Sequence, residues 1–549
     1  MIMMGSKQRH FTPLVKVSLE DLVPTDHFYR HLERTLDLSF VRELVHETYA
    51  GGGRPSIDPI VFFKLQLVMF FEGLRSERQL MRHAAGRLSI LWYLGYDLGE
   101  PLPDHSSLTR IRTRYGVDVF RRFFEAIVEQ CQQAGLIWGK ELYIDGTKVQ
   151  ANASLDSLQP RFFVEAHLNN LFLEQAAEET EEGEQDAIQD ESASSAPSHQ
   201  VEKASLMELP TSLSPEQRSE LSQQNEERHD WIEQLGAQDR HVKGRSYQRI
   251  ADLRVSTTDP DATLMETGNG SDMGFRTHYV VDGGRARIIL AALVTPFEVT
   301  DNQPMLDLLW RVRFRWKLWP RQVTGDTKYG TEENIVAIEH QHIHAYVPLP
   351  DNDHRTEFFS SLLFQYDAER DVYICPAGKE LHFCQRQTTE RSRRYRAYAE
   401  DCNHCPLKAQ CTTSKQGRSL CRSVHEEYLD RVRGYHTTEA YKKAYRKRTV
   451  WVEPLFAEGK QWHGMRRFRL RRLWRVNCEA QVIAAGQNLK RLLQKRGWER
   501  RPFPTEALST SFWLLLDAGF TCFWRRGLFP EPSGPAFSMG RKQSLFLYC

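Results

Sequence analysis

Hydrophobic residues recur at three- and four-residue steps through residues 28–135, in FVRELVHETY, IVFFKLQLVMFFEGL and DVFRRFFEAIVEQCQQAGL, and this spacing predicts a run of helices. Gly51-Gly52-Gly53-Arg54-Pro55-Ser56 and Pro101-Leu102-Pro103-Asp104 break the run, because Gly and Pro do not continue a helix. Asp104 or Ser106 is placed to cap the helix that carries LTRIRTRYG. At 141–149 the pattern changes to a short strand, ELYIDGTKV, with Asp145 inside it. Strand character returns at THYVVD (277–282) and RIILAALVTPFEVTD (287–301), joined by the hairpin signal Gly283-Gly284. A helix from Gln303 to Trp316, a strand at RQVTGD (321–326), a helix from Thr331 to His340 and a strand at HIHAYVPL (342–349) continue the series. The pattern predicts an α/β protein with a mixed sheet flanked by helices, Asp145 in its first strand and Asp326 at the tip of its fourth.

Composition sets the boundaries around that core. Residues 10–138 read as an N-terminal all-α domain, and 139–172 with 246–349 as the sheet. Between them, 173–245 is an acidic insertion rich in Glu, Gln and Ser, expected to be disordered or loosely helical because it has too little apolar surface to bury. Residues 350–435 form a second, Cys-rich insertion, 436–500 a basic helical region completing the core, and 501–549 carry no readable pattern.

Charge changes this picture by region. Lys plus Arg number 73 and Asp plus Glu 72, a net +1, yet 171–200 hold nine acidic and no basic residues while 421–500 hold 20 basic against 8 acidic. A basic C-terminal region suggests a polyanionic partner. No stretch has the length of a membrane span; the nearest, Ser511 to Trp524, is short and contains Asp517. Ten cysteines without a secretion signal point to a reducing cytoplasm.

Two-metal phosphoryl transfer needs carboxylates from separate elements converging on divalent ions, and hard oxygen donors suit Mg²⁺ or Mn²⁺. Asp145 and Asp326 are the right residue type, provided their strands are adjacent, and Glu453 is the candidate third from a packed helix. Tyr445, Arg448, Glu453 and Lys460 approximate Tyr-x2-Arg-x3-Glu-x6-Lys, with the Arg-to-Glu gap one residue longer. Together with LYIDGTKVQANAS, TDPDATL, THYVVDGG, VTGDTKYGTEENI and WVEPLFAEGKQWHGMRRFRLRRL, this resembles the DDE transposases of bacterial insertion sequences, in the branch numbered eleven eighty-two, near the group numbered five. SIDPIVFFKLQLV and PLPDHSSLTRIR resemble that branch's N-terminal helical domain. The resemblance implies an RNase H-like core in which Asp145, Asp326 and Glu453 hold Mg²⁺, cut double-stranded DNA at terminal inverted repeats and join the 3′-hydroxyl to target DNA. It also implies at least a homodimer on DNA and a nucleoid-associated protein.

Each residue also has a plainer reading. Asp145 and Asp326 suit turns or caps, and Glu453, before Pro454, suits the first turn of a helix and its dipole. Glu458 lies about 140° round a helix from Glu453, while Lys460 returns to the same face. Lys460, Arg466 and Arg467, with Arg469, Arg471 and Arg472, are candidate phosphate contacts, against a solvated helix face. Arg448 belongs to the same candidate surface, and Tyr329 is a contact for the flanking strand or a packing residue. Asp259 and Asp261 read as a turn, with Asp259 an outside metal candidate, and Asp282 as the hairpin corner. Cys375, Cys402, Cys405, Cys411 and Cys421, with Cys384 in reserve, offer thiolates for a structural Zn²⁺, against buried free thiols. Alternative functions are a catalytically inactive DNA-binding relative and a metal-dependent nuclease without strand transfer.

Overall fold

The segment ELYIDGTKVQ forms strand β1 (Glu141–Gln150), and the sheet is built outward from it in both directions. The computed structural model describes residues 17–49, 56–160, 254–268, 270–350, 357–386 and 392–504. The acidic insertion 173–245 and most of the tail 501–549 lie outside the described residues. The chain divides into Met1–Glu499 and Arg500–Cys549, and the sheet and its helices belong to the first of these.

Beyond β1, β2 (Leu158–Pro160) and β3 (Arg254–Ser256) make a separate two-stranded ribbon. The main sheet continues with β4 (Thr263–Thr267), β5 (Gly270–Asp282), β6 (Ile289–Pro296), β7 (Gln322–Thr324) and β8 (His344–Tyr346). Its order is β4-β5-β1-β7-β8, with β6 also on β5. β1 runs antiparallel to β5 and parallel to β7, so the sheet is mixed. The hairpin between β5 and β6 turns through Gly283-Gly284, and Asp282 fixes the corner by accepting from the N–H groups of Trp138, Gly139 and Gly284. Helices Met305–Arg315 and Glu332–His340 precede β7 and β8, the second capped by Thr331.

The Cys-rich insertion has a fold of its own. Strands β9 (Gln365–Asp367), β10 (Val372–Ile374), β11 (Glu380–Arg386), β12 (Ser392–Ala397) and β13 (Ser419–Ser423) form an antiparallel sheet in the order β13-β12-β11-β10-β9.

The N-terminal helices are not a detached body. Helix Pro59–Phe71, capped by Asp58, is apolar but for Lys64 and Gln66 and mostly buried, and helix His105–Gln133, capped by Asp104, kinks at Gly116 where φ is +63°. Both pack on helix Leu473–Lys495, whose other side lies on β6. Eighteen of the 23 residues of that helix are buried, so the basic C-terminal region expected from charge counting contains the spine of the molecule. Its polar positions have a specific task. Asn477 accepts from Val294 N–H and donates to its carbonyl, Asn488 does the same for Ile289, and Gln481 donates to the Ala292 carbonyl. The helix thereby satisfies backbone groups of β6 along the edge where, among the described residues, no further strand pairs.

Candidate active site

Asp145 and Asp326 stand side by side. The paired positions of β1 and β7 end at Tyr143 opposite Thr324, and two residues farther along each strand come Asp145 and Asp326. Strand alternation puts both on the same face. Asp326 is at once the cap of the short turn Thr327–Tyr329, accepting from Lys328 N–H, so the capping role and the site position coincide. Asp145 is buried, with Oδ1 accepting from Gly146 N–H at 2.9 Å and Oδ2 from the Arg448 guanidinium at 2.7 Å. Burial pushes its carboxyl up to about 6; Arg448 and the Gly146 N–H pull it down, while the charges of Asp326 and Asp301 push it up further.

Two neighbouring helices are fastened to this face of β1. Helix Glu439–Trp451 is held by Lys447, which pairs with Glu141 at 2.6 Å among the rings of Trp138, Tyr143 and Trp451, and by Arg448 on Asp145. Helix Glu453–Trp462 is held near its end by Lys460 Nζ donating to Thr147 Oγ1 at 2.6 Å. Thr147 follows Asp145 by two residues and shares its face. Glu453 opens this second helix and is exposed. Glu458 turns the other way and is enclosed by His463, Lys490 and Arg491, as the helical angle requires. Among the described residues no group of three or more His, Cys, Asp or Glu is arranged to hold a metal ion. The chemistry of Asp145 and Asp326 nevertheless fits a hard cation: two carboxylates in register, one of them strained by burial and met by positive charge at Oδ2.

The opposite face of β1 carries a buried polar cluster that sequence reasoning missed. Gly146 has no side chain, and the Asp301 carboxylate fills that space; a methyl group there would run into Asp301 Oδ1. Asp301 pairs with Arg276 and with Lys328, the latter at 3.0 Å. His278, opposite Gly146 on β5, is wholly buried, and desolvation lowers it to about 4, so it is neutral. Its Nδ1 stands 3.9 Å from Asp301 Oδ1, too far for a hydrogen bond, and both atoms lack a partner. A lone acid after an apolar strand and a histidine inside one were the available signals, and neither distinguishes this cluster from a turn and a core residue.

Several expectations are corrected. Tyr329 is 1% exposed and packs on Gly325, so its place is in the interior and not on a DNA-facing surface. Asp259 Oδ1 and Asp261 Oδ2 accept from the N–H groups of Arg472 and Leu473 and thus fasten the start of the long helix, while Asp259 Oδ2 is buried without a hydrogen-bond partner. Of the basic run, Arg466 and Arg467 are exposed, but their backbone extends the end of β1 through bonds with Gln150. Arg469 reaches Glu77, which also holds the buried Arg112, so neither is a free phosphate contact. Cys421 and Cys384 are exposed on β13 and β11, apart from the small cavity lined by Cys375, Cys402, Cys405 and Cys411.

Residues 374–493 match a family described as "Transposase DDE domain", and residues 17–114 match one described as "Transposase domain (DUF772)". No curated protein and no solved structure matches the chain. Among the described residues no helix is long and apolar enough to cross a membrane.

Proposed function

We propose that this chain is a DDE-type transposase of an insertion sequence, with an RNase H-like core that cuts double-stranded DNA at the element ends and joins the freed 3′-hydroxyl to target DNA. The observation that carries the reading is that parallel strands β1 and β7 pair up to Tyr143 opposite Thr324, with Asp145 two residues on in β1 and Asp326 two residues past the pairing at the end of β7, close enough for its charge to act on Asp145, beside a helix that begins with Glu453. The two transposase-family matches support it from the sequence side, and one of them covers Glu453 but neither covers Asp145 or Asp326.

In this reading Asp145, Asp326 and Glu453 would hold Mg²⁺ or Mn²⁺, which when bound supplies activation of the attacking oxygen and stabilisation of the leaving one. The chain's own groups do the rest. Arg448 offsets the charge of buried Asp145 and keeps its carboxylate aimed along one direction. Lys460 is held on the same face by Thr147 and is half-buried, with its ammonium pulled down by burial and by Arg466; a phosphate arriving there would relieve that strain. Exposed Arg466 and Arg467 extend the positive surface from the end of β1 and would add salt-sensitive affinity without reading sequence. On the other face, Asp301 braces Lys328 beside Asp326 and acts as a positioning residue. Cutting two ends together calls for a homodimer or larger assembly on DNA, working in the cytoplasm.

The test is incubation of the purified chain with labelled DNA carrying the sequences that flank its gene, in Mg²⁺. Joined products support the transposase; cleavage without joining marks a nuclease; a shifted band with neither marks an inactive binder. Asp145→Ala should abolish both reactions and leave salt-sensitive binding, and strand transfer persisting in that variant would refute the assignment.

A further inference from the structure

The Cys-rich sheet has very little core of its own. Its core cluster is Phe364, Tyr373, Leu381, Tyr395, Ala397 and Leu420, with Val372 also buried, a small number for a five-stranded sheet with two short helices. Bodies of this size are commonly stapled by disulfides or a metal. Among the described residues no disulfide is present, and four of the cysteines line one cavity.

After β10 the chain turns through Cys375-Pro376-Ala377-Gly378-Lys379, a tight loop closed by bonds between Cys375 and Lys379 and between Gly378 and Cys375, with Gly378 at φ +74°. The turn aims the Lys379 N–H at Cys375 Sγ, 3.3 Å away. Facing it, the short helices Ala399–Asn403 and Lys408–Cys411 bring Cys402, Cys405 and Cys411, and the Arg418 N–H points at Cys402 Sγ at 3.4 Å. All four sulfurs belong to residues that line this one cavity. Phe359, Leu381, Ala397 and Leu407 also wall the cavity, whose volume is about 20 Å³. An organic ligand does not fit such a space, and four soft donors lining an apolar hole that small suit a single tetrahedral cation. Backbone N–H groups directed at sulfur favour thiolates, as outer partners of a metal ligand do.

We propose that Cys375, Cys402, Cys405 and Cys411 bind one structural Zn²⁺, joining the β10–β11 turn to the two short helices. Loading draws the four sulfurs inward from their present places around the cavity, since no three of them are yet arranged to hold an ion. Each thiol that ligates gives up its proton to solvent, so binding releases protons and weakens at acid pH. Arg418 stands beside the site, its guanidinium bonded to the Cys411 and Phe359 carbonyls, and offsets part of the negative charge of a four-thiolate centre, while Lys379, also in the lining, is paired with the Asp401 carboxylate at 2.9 Å. Cys421 and Cys384 are outside it. The proposal does not depend on the transposase reading.

The full chain, purified under reducing conditions with zinc supplied during expression, should carry one zinc per chain by elemental analysis. After exchange it should show thiolate-to-cobalt charge-transfer absorption with Co²⁺. Cys375→Ser and Cys405→Ser should lose the metal and Cys421→Ser should keep it. Because the first two variants can also misfold, cysteine alkylation of the unmodified chain gives a second measurement. The four named cysteines should be protected until a chelator is added, while Cys384 and Cys421 react in both conditions. A folded chain that takes up no zinc, equal loss of zinc in Cys421→Ser, or a labelling pattern unchanged by chelation would overturn the site.

Discussion

Asp145→Asn is expected to stabilise the metal-free protein near neutral pH while abolishing cleavage. Burial, the largest influence on this group, raises the Asp145 carboxyl from 3.8 to about 6 in spite of Arg448. A folded-state value above the unfolded one means the native state holds the proton more tightly in that interval. Stability therefore falls as pH rises from about 4 to about 6, and the full penalty is present above 6. A gap of roughly two units corresponds to about 3 kcal/mol, and with the side chain only 11% exposed little of it is screened by solvent. Asparagine keeps the shape and removes the charge, but it gives the Arg448 guanidinium an amide oxygen in place of a carboxylate, which offsets about 1–2 kcal/mol. The net expectation in EDTA at pH 8 is a gain of about 1–2 kcal/mol that shrinks by about 1 kcal/mol at pH 5. Urea unfolding at the two pH values, with unchanged slope, measures it. Added Mg²⁺ should stabilise the parent and not the variant, because only the parent keeps the ligand. A variant less stable than its parent at pH 8, or a difference that ignores pH, would show that burial of the charge is not the governing cost.

Other substitutions probe the surroundings. Gly146→Ala puts a methyl group into the Asp301 carboxylate and should cost about 1–3 kcal/mol in thermal unfolding together with a loss of cleavage; an unchanged melting temperature would mean that Asp301 moves freely. Asn488→Ala leaves both backbone groups of Ile289 without partners and should cost about 2–4 kcal/mol by urea unfolding, whereas a loss under about 0.5 kcal/mol would mean that water replaces the side chain. Lys460→Ala should lower the slope of log affinity for DNA against log salt by about one, and an identical slope would remove Lys460 from the phosphate surface.

Where the signal was local, the sequence was readable. The capped helices, the Gly283-Gly284 hairpin and the strand-helix-strand series all rest on residues a few positions apart; the helix expected over Gln303–Trp316 is Met305–Arg315, whereas the strands expected at 277–282 and 287–301 are Gly270–Asp282 and Ile289–Pro296. What was not readable depends on partners far along the chain. Arg112 is buried against Glu77, and Lys490, within the basic region 436–500, is met by Glu458; neither pairing has a local signature. Asn477, Gln481 and Asn488 bond to the backbone of β6, and no periodicity reveals an edge strand waiting for donors and acceptors. The same holds for Asp301, whose use depends on a missing side chain at Gly146.

The proposed chemistry rests more on register than on distance along the chain. Asp145 and Asp326 are separated by 181 positions (326 − 145), yet the cost of closing so long a connection grows only logarithmically, and the intervening chain tolerates an acidic insertion. Register tolerates nothing comparable. Leu142 opposite Val323 and Tyr143 opposite Thr324 set the alignment of β1 with β7, and a slip of one residue on either strand would turn one aspartate to the far face. Leu142, Tyr143, Val323 and Thr324 are all fully buried, so such a slip would also expose apolar side chains on the same strand. The force that holds the two carboxylates together is therefore the packing of the residues just before them. An apolar-to-polar change at Val323 should damage the site more than a length change within 173–245, and comparing cleavage by Val323→Thr with that of a chain shortened there would decide whether register or connection length governs the site.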